Sequence, residues 1–173
     1  GANASGMNPE SDIVVRSSAV PESNSEITAA RKEGVPVWER AKFLAALMEG
    51  YRSVAVAGTH GKTTTTSMLT VALQRAGLDP SFAIGGMINT SGTNAHLGSG
   101  DAFIAEADES DGSFLAYKPF GAIVTNLELD HVDHFSTLEV LADAFNEFVS
   151  TIQPKVLRNF HPTGIVWRRP NRH

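Results

Sequence analysis

Cysteine is absent from the 173 residues. Its absence excludes a disulfide scaffold and any thiolate-bound metal, and it suits a reducing cytosol. Long apolar runs are missing too. None approaches the roughly 18 residues that a membrane span requires, so no membrane partner is expected. The opening stretch, GANASGMNPES, has neither a basic nor an apolar segment and so does not read as a signal peptide. It also lacks an initiator methionine, so the chain is expected to begin inside a longer protein. Finally, basic charge is scarce: 14 Lys and Arg stand against 19 Asp and Glu, a net charge of −5, which argues against nucleic acid as a partner.

What is present is a core-forming composition, 42% hydrophobic and 19% charged, in a chain long enough for one domain or for a small domain plus part of another. Charge is unevenly spread. From Lys155 onward there are five basic residues and no acidic one, which leaves 9 basic against 19 acidic residues in the body. The tail 154–173 is therefore a different kind of sequence, expected to be an altered reading frame, an artefact or a disordered end.

The remaining pattern alternates strands with helices. DIVVRSSAV reads as a strand and turn. Ser25 as N-cap and Gly34 past the last turn bracket a short helix. VPVW is a short strand, and Ala41, Leu44, Ala45 and Met48 fall at helical spacing. A strand at 54–57 leads through a loop into a helix that ends at Gly77. PSFAIGG, DAFIAEADES and GAIVTNLELDH contribute further strands, and NTSGTNAHLGSG reads as a small-residue loop. Ser136 as N-cap with Glu139 at the third helical position makes a capping box for the helix over 136–152. The alternation implies an α/β fold with a mostly parallel sheet.

Three strand ends carry chemistry. GTHGKTTTT follows an apolar strand and opens a helix. Gly58 and Gly61 let the backbone approach phosphates, the helix N-H groups point at them, and Lys62 brings a mobile charge. Thr63 stands where a phosphate loop places its magnesium ligand. The threonines are expected to line the helix start, where their hydroxyls serve phosphate and metal. The usual earlier glycine is replaced by Val56, so the loop is a shortened variant.

FIAEADESD delivers Glu106, Asp108, Glu109 and Asp111 beyond the next strand. A solvated acidic turn is the plainer alternative. Beside a phosphate loop, one of the four as a magnesium ligand is the better reading, with the others capping or structural. TNLELDHVDHF brings Asn126, Glu128, Asp130, His131, Asp133 and His134. Zinc is disfavoured without cysteine. A capping or solvated cluster, or one histidine and one carboxylate on a second metal or the nucleotide, both remain open.

GTHGKTTTTSML, GTNAHLG, EADESDGSFL and TNLELDHVDHF, in this order, closely resemble the central domain of the Mur ligases. SSAVPESNSEI and VPVWERAKFLAALM resemble the end of that family's first domain. The resemblance covers about residues 12–152. It implies a P-loop central domain, incomplete at 51–153, preceded at 1–50 by the end of a Rossmann-like, UDP-binding domain and followed by the atypical tail.

The activity it implies is ATP-dependent amide synthesis in the bacterial cytoplasm for peptidoglycan. ATP phosphorylates the lactyl carboxylate of UDP-N-acetylmuramate, and L-alanine attacks the acyl phosphate. By this resemblance Gly58, Thr59, His60, Gly61, Lys62, Thr63 and Thr64 cradle ATP, with Lys62 on the β/γ-phosphates. Thr63 and Glu106 hold one Mg2+ and His131 a second. Lys62, Glu106 and His131 carry catalysis. Ser91, Gly92, Thr93, Asn94 and Ala95 contact the sugar nucleotide, Asn94 foremost.

Two alternatives stay beside it: a nucleotide-binding module without turnover, and a folylpolyglutamate-synthase-like or muropeptide-recycling ligase. The family's third domain is missing from this sequence, and a sheet cut short is expected to self-associate through its exposed edge.

Overall fold

Two separate pieces of sheet organise the chain, one in residues Gly1–Leu47 and the other in Met48–His173. The computed structural model describes residues 8, 10–88, 92–110, 112–129 and 135–152, with the backbone of 160–161 and 164–166.

In the first unit, β1 (Val14–Arg16) pairs in parallel with β2 (Val37–Glu39), and α1 (Ser25–Lys32) makes the crossover between them. The partly buried Arg16 guanidinium ties the unit together. It reaches Glu22 at 2.7 Å, Glu39 at 3.2 Å and the carbonyl of Val20 at 3.0 Å. The cap of α1 is Asn24 rather than Ser25. Asn24 Oδ1 accepts from the amides of Glu26 and Ile27, so Ser25 becomes the first helical residue. Adjacent cap-competent residues compete, and the amide side chain takes the position. Gly34, at φ +74°, ends the segment as expected. After β2 comes α2 (Arg40–Leu47), with Ala41 buried.

Among the described residues, the second unit has a sheet of seven strands. β3 (Arg52–Ala57) is central, flanked by β6 (Ala102–Glu106) on one side and β7 (Gly121–Val124) on the other, both parallel to it. β4 (Ser81–Ile88) lies outside β6, also parallel. α3 (Lys62–Arg75) carries the chain from β3 to β4, leaving room for β6 to insert between them. The sequence therefore leaves β3 on one side and later returns on the other. This is the switch in strand order at which open parallel sheets bind ligands.

Both edges are antiparallel additions. β5 (Thr93–His96) runs against β4, so part of the segment read as a small-residue loop is a short edge strand. Its exposed, polar sequence lacks the apolar alternation that identifies a strand. At the opposite edge the backbone of β8 (Phe160–His161) and β9 (Gly164–Val166) forms a hairpin, and β9 pairs with β7.

Helix α3 packs on a cluster of Phe82, Ile84, Ile88 and Ile104 through Leu69, Val71 and Leu73. Its two fully buried residues are threonines, Thr66 and Thr70, whose hydroxyls donate to the carbonyls of Lys62 and Thr66 one turn back. Thr66 thus faces the core instead of the helix mouth, which corrects the reading of the whole threonine run as ligand-facing.

α4 (Leu138–Ser150) buries Leu141, Phe145, Phe148 and Val149, one helical face. Its cap is Thr137, not Ser136. Thr137 Oγ1 accepts from Val140 N, which places Glu139 at the second helical position and removes the capping box. Phe114, in a 3-10 turn at Ser113–Ala116, is fully buried against α4, with ring centroids 5.2 Å from Phe145 and 4.9 Å from Phe148. Phe114→Ala should lower the unfolding free energy by about 3–5 kcal/mol, measured by urea denaturation, because it removes a large side chain from a packed cluster.

Candidate functional site

The loop between β3 and α3 is shaped by two glycines. Gly58 has φ +124°; a Cβ there would land on Thr125 Oγ1 and lie 2.9 Å from Asn126 O. Gly61, at φ +80°, is the N-cap of α3 and offers no side chain to the first turn. The leading amides of α3 therefore have neither an intrahelical acceptor nor a side-chain cap. That is the backbone pattern of an anion cradle.

The segment leaving β7 clamps this loop. Thr59 Oγ1 donates to Glu128 O and accepts from Glu128 N, both at 3.0 Å. His60 N donates to Asn126 Oδ1 at 2.9 Å, and Thr125 Oγ1 donates to His60 O at 2.6 Å. His60 Nε2 lies 3.8 Å from Glu128 Oε2. Asn126 and Glu128 are thus loop supports, a role that the sequence reading did not name.

Lys62 and Thr63 meet carboxylates from the end of β6 and the turn after it. Thr63 Oγ1 is 2.9 and 3.1 Å from the two oxygens of Glu106. Glu106 Oε2 also accepts from Gly85 N at 2.7 Å. Lys62 Nζ donates to Gly58 O at 2.7 Å, Thr59 O at 3.3 Å and Glu109 Oε1 at 2.9 Å. Glu109 is 1% exposed and the Lys62 side chain 13%. Asp108 instead accepts from Ser110 N at 3.1 Å, a local turn. Thr64 stands exposed on the first turn of α3.

Lys62, Thr63, Glu106 and Glu109 therefore converge. His131 lies outside the described residues, as do Asp111, Asp130, Asp133, His134 and Ser91. Among the described residues, no group of three or more His, Asp or Glu side chains is placed to hold a metal by itself.

Gly85 and Gly86 carry a function that the sequence reading passed over. A Cβ on Gly85 would sit 3.0 Å from Glu106 Oε2, and one on Gly86 would sit 2.9 Å from Thr63 Cγ2. Paired glycines inside a strand were the available signal, since they mark a close approach. From Thr63 a groove of about 620 Å3 runs along the outer face of α3 to Arg75, walled by Met68, Met87 and Ile88.

Gly92, Thr93, Asn94 and Ala95 lie on and beside β5, away from the sheet centre, with Gly92, Asn94 and Ala95 exposed. Asp79 anchors the end of this segment. It bonds Ser99 N at 2.8 Å, Ser99 Oγ at 3.0 Å and His96 Nε2 at 2.9 Å. Gly98 and Gly100 press on its backbone carbonyl.

A shortened glycine-lysine-threonine loop at the centre of a parallel sheet, faced by carboxylates from the next strand, defines a phosphate-loop α/β protein. The Mur ligase middle domain matches residues 56–167, and the Mur ligase family catalytic domain matches residues 1–52. This chain belongs to the Mur ligase family.

Among curated relatives, UDP-N-acetylmuramate--L-alanine ligase of Mycobacteroides abscessus is 56% identical over 140 residues, 81% of this chain and 29% of the relative. The enzyme of the same name from Saccharopolyspora erythraea is 60% identical over 141 residues, 82% of this chain and 29% of the relative. The chain thus spans under a third of the length of these relatives.

Among solved structures, the UDP-N-acetylmuramate-alanine ligase of Thermotoga maritima gives a TM-score of 0.78 at 29% identity, covering 88% of this chain and 36% of that one. The UDP-N-acetylmuramate:L-alanyl-gamma-D-glutamyl-meso-diaminopimelate ligase of Neisseria meningitides gives 0.76 at 31% identity, covering 88% and 53%.

The anchor at Asp79 is pH-dependent. The Ser99 amide, then His96 and the Ser99 hydroxyl, hold its carboxyl below the usual aspartate range. A depressed folded value stabilises above the unfolded value, and the contribution fades as pH falls through the folded one. Wild type should therefore be more stable than Asp79→Asn at neutral pH, and the two urea midpoints should converge as the pH drops through the acid range.

Proposed function

We propose that this chain carries the nucleotide- and carboxylate-activating part of a ligase that joins L-alanine to UDP-N-acetylmuramate. ATP transfers its γ-phosphoryl group to the lactyl carboxylate, giving ADP and an acyl phosphate. The alanine amine then attacks the carbonyl, phosphate leaves, and the amine loses a proton to give the amide. The observation carrying this reading is the convergence of Lys62, Thr63 and Glu106 on the open N-terminus of α3.

The loop from Gly58 to Thr64, with Thr59, His60 and Gly61, wraps the phosphates; the amides left to bind them are those of the first turn of α3, since the Thr59 and His60 amides are held by Asn126, and Lys62 neutralises the β/γ-phosphates. Thr63 and Glu106 fit magnesium. Both present only oxygen and lie within 3.1 Å of one another, a donor set that would suit magnesium. When bound, Mg2+ supplies charge neutralisation between nucleotide and carboxylate. His131, following β7, is proposed as a ligand of a second ion. Ser91, Gly92, Thr93, Asn94 and Ala95 are proposed to contact the sugar nucleotide.

Residues 1–50 are read as the end of a UDP-binding domain and 51–153 as part of the ATP-binding domain, in a cytoplasmic protein; the tail expected at 154–173 overlaps the middle-domain match at 56–167, and β9 pairs with β7. Self-association would run through the exposed sheet edge at β5. The recycling-ligase alternative is supported by the Neisseria fold match, and the 56–60% identity to alanine ligases favours the first reading.

A second reading is nucleotide binding without turnover, which the uncapped helix N-terminus and Lys62 would support by themselves. The test is ATP binding by calorimetry, together with phosphate release in the presence of Mg2+, UDP-N-acetylmuramate and alanine. ATP binding is expected, and Lys62→Ala should weaken it at least tenfold. Glu106→Gln should weaken the Mg2+ dependence of binding. Failure of wild type to bind ATP would overturn the assignment; binding without alanine-dependent phosphate release favours the second reading.

A further inference from the structure

Lys62 has three N-H donors and all three are engaged: two on loop carbonyls and the third on Glu109 at 2.9 Å. A phosphate oxygen can reach the ammonium only by displacing one of these partners. The two carbonyls belong to the loop that forms the cradle, so Glu109 is the exchangeable one.

Glu109 is itself unusual. It is 1% exposed, and its second oxygen, Oε2, takes no hydrogen bond among the described residues. A buried carboxylate that serves only to fix the local backbone normally has both oxygens satisfied. Here the carboxylate has one strong partner, and that partner is the residue assigned to the phosphates. The neighbouring pair has the same form, because the Thr63 hydroxyl also rests on a carboxylate, that of Glu106.

We propose that Glu109 is a positioning residue that stands in for the nucleotide phosphates. It holds the Lys62 ammonium aimed at the loop mouth until a phosphate takes over, and it sets nucleotide affinity by competing for that ammonium. This rests on the phosphate-loop reading above. Two consequences follow. Removing the charge of Glu109 leaves a mostly buried ammonium without a counter-ion in the ligand-free protein. It also removes the group that competes with the phosphates for that ammonium, so the variant gains more from nucleotide than wild type does.

The test uses the full chain with ATP and, separately, inorganic pyrophosphate, both with Mg2+. Glu109→Gln should melt several degrees below wild type without ligand, recover most of that deficit at saturating ATP, and bind ATP about tenfold more tightly. Glu109→Asp, which keeps the charge, should stay near wild type in both respects. In a Lys62→Met background, Glu109→Gln should leave ATP affinity unchanged.

A purely structural role predicts an equal melting deficit with and without ATP and no gain in affinity; either result would overturn the proposal. Should Glu109→Gln fail to fold, the carboxyl 13C signal of Glu109 in the wild-type protein decides. It should move when ATP is added, and a fixed signal at saturation would sink the idea. Wild-type binding that depends on Lys62 but is indifferent to Glu109 overturns only this proposal. No ATP binding by wild type overturns the phosphate-loop reading and this proposal together.

Discussion

The wedge of Gly58 beneath the end of β7 is the constraint on which the site depends. No side chain fits between this residue and Thr125, so the backbone of the loop rests directly on the neighbouring strand. Contact at that distance lets short side chains stitch the two segments together. Thr59 bonds both backbone groups of Glu128, and Asn126 and Thr125 take the two backbone groups of His60. The loop thereby enters α3 at a fixed angle, with the leading amides of the helix left uncapped. Everything that a ligand would feel follows from that entry: the direction of the helix N-terminus, the reach of Lys62 and the position of Thr63 beside Glu106.

Charge balance comes next. A lysine and two glutamates gather where water is partly excluded, an arrangement that costs more than it returns unless each charge has a partner. Lys62 and Glu109 supply each other. Glu106 instead lies partly exposed and is met by the Thr63 hydroxyl and the Gly85 amide. The two carboxylates therefore sit in different environments although only three residues apart. The buried one faces an ammonium and the more open one faces neutral donors. An incoming cation meets the second more readily than the first, which agrees with assigning the metal to Glu106 and not to Glu109.

How much of this was legible depended on whether a residue's role is fixed by its own backbone or by distant partners. The phosphate loop was readable because glycine at positive φ and lysine after it have few other uses between a strand and a helix. The parallel strands were readable from their apolar runs. The helix caps slipped by one residue, Ser25 for Asn24 and Ser136 for Thr137, because neighbouring polar residues cap equally well on local grounds and only the geometry of chain entry chooses between them. β5 was hidden because an exposed edge strand carries no apolar alternation. Glu109 looked like its acidic neighbours, since burial to 1% is a tertiary property that no local pattern encodes. Gly85 and Gly86 were visible, but their meaning depended on Thr63 and Glu106 arriving from two other elements.

The construction separates two kinds of dependence. The cradle is made of backbone, so its shape rests on glycines and on the strand that presses against them, and any side chain added there must be accommodated by the fold itself. The charges are carried by side chains that reach the cradle from a different strand, β6, so they can change without altering the loop's path. This division explains why the acidic cluster follows a strand hydrogen-bonded to β3 rather than lying in the loop. A carboxylate within the loop would repel the phosphates at every stage. Under the proposal made above, one held across the strand boundary partners the lysine when the site is empty and yields it when the site fills. The order β4, β6, β3, β7 supplies that separation, because β6, which follows α3 and β4 in the chain, lies beside β3 in the sheet.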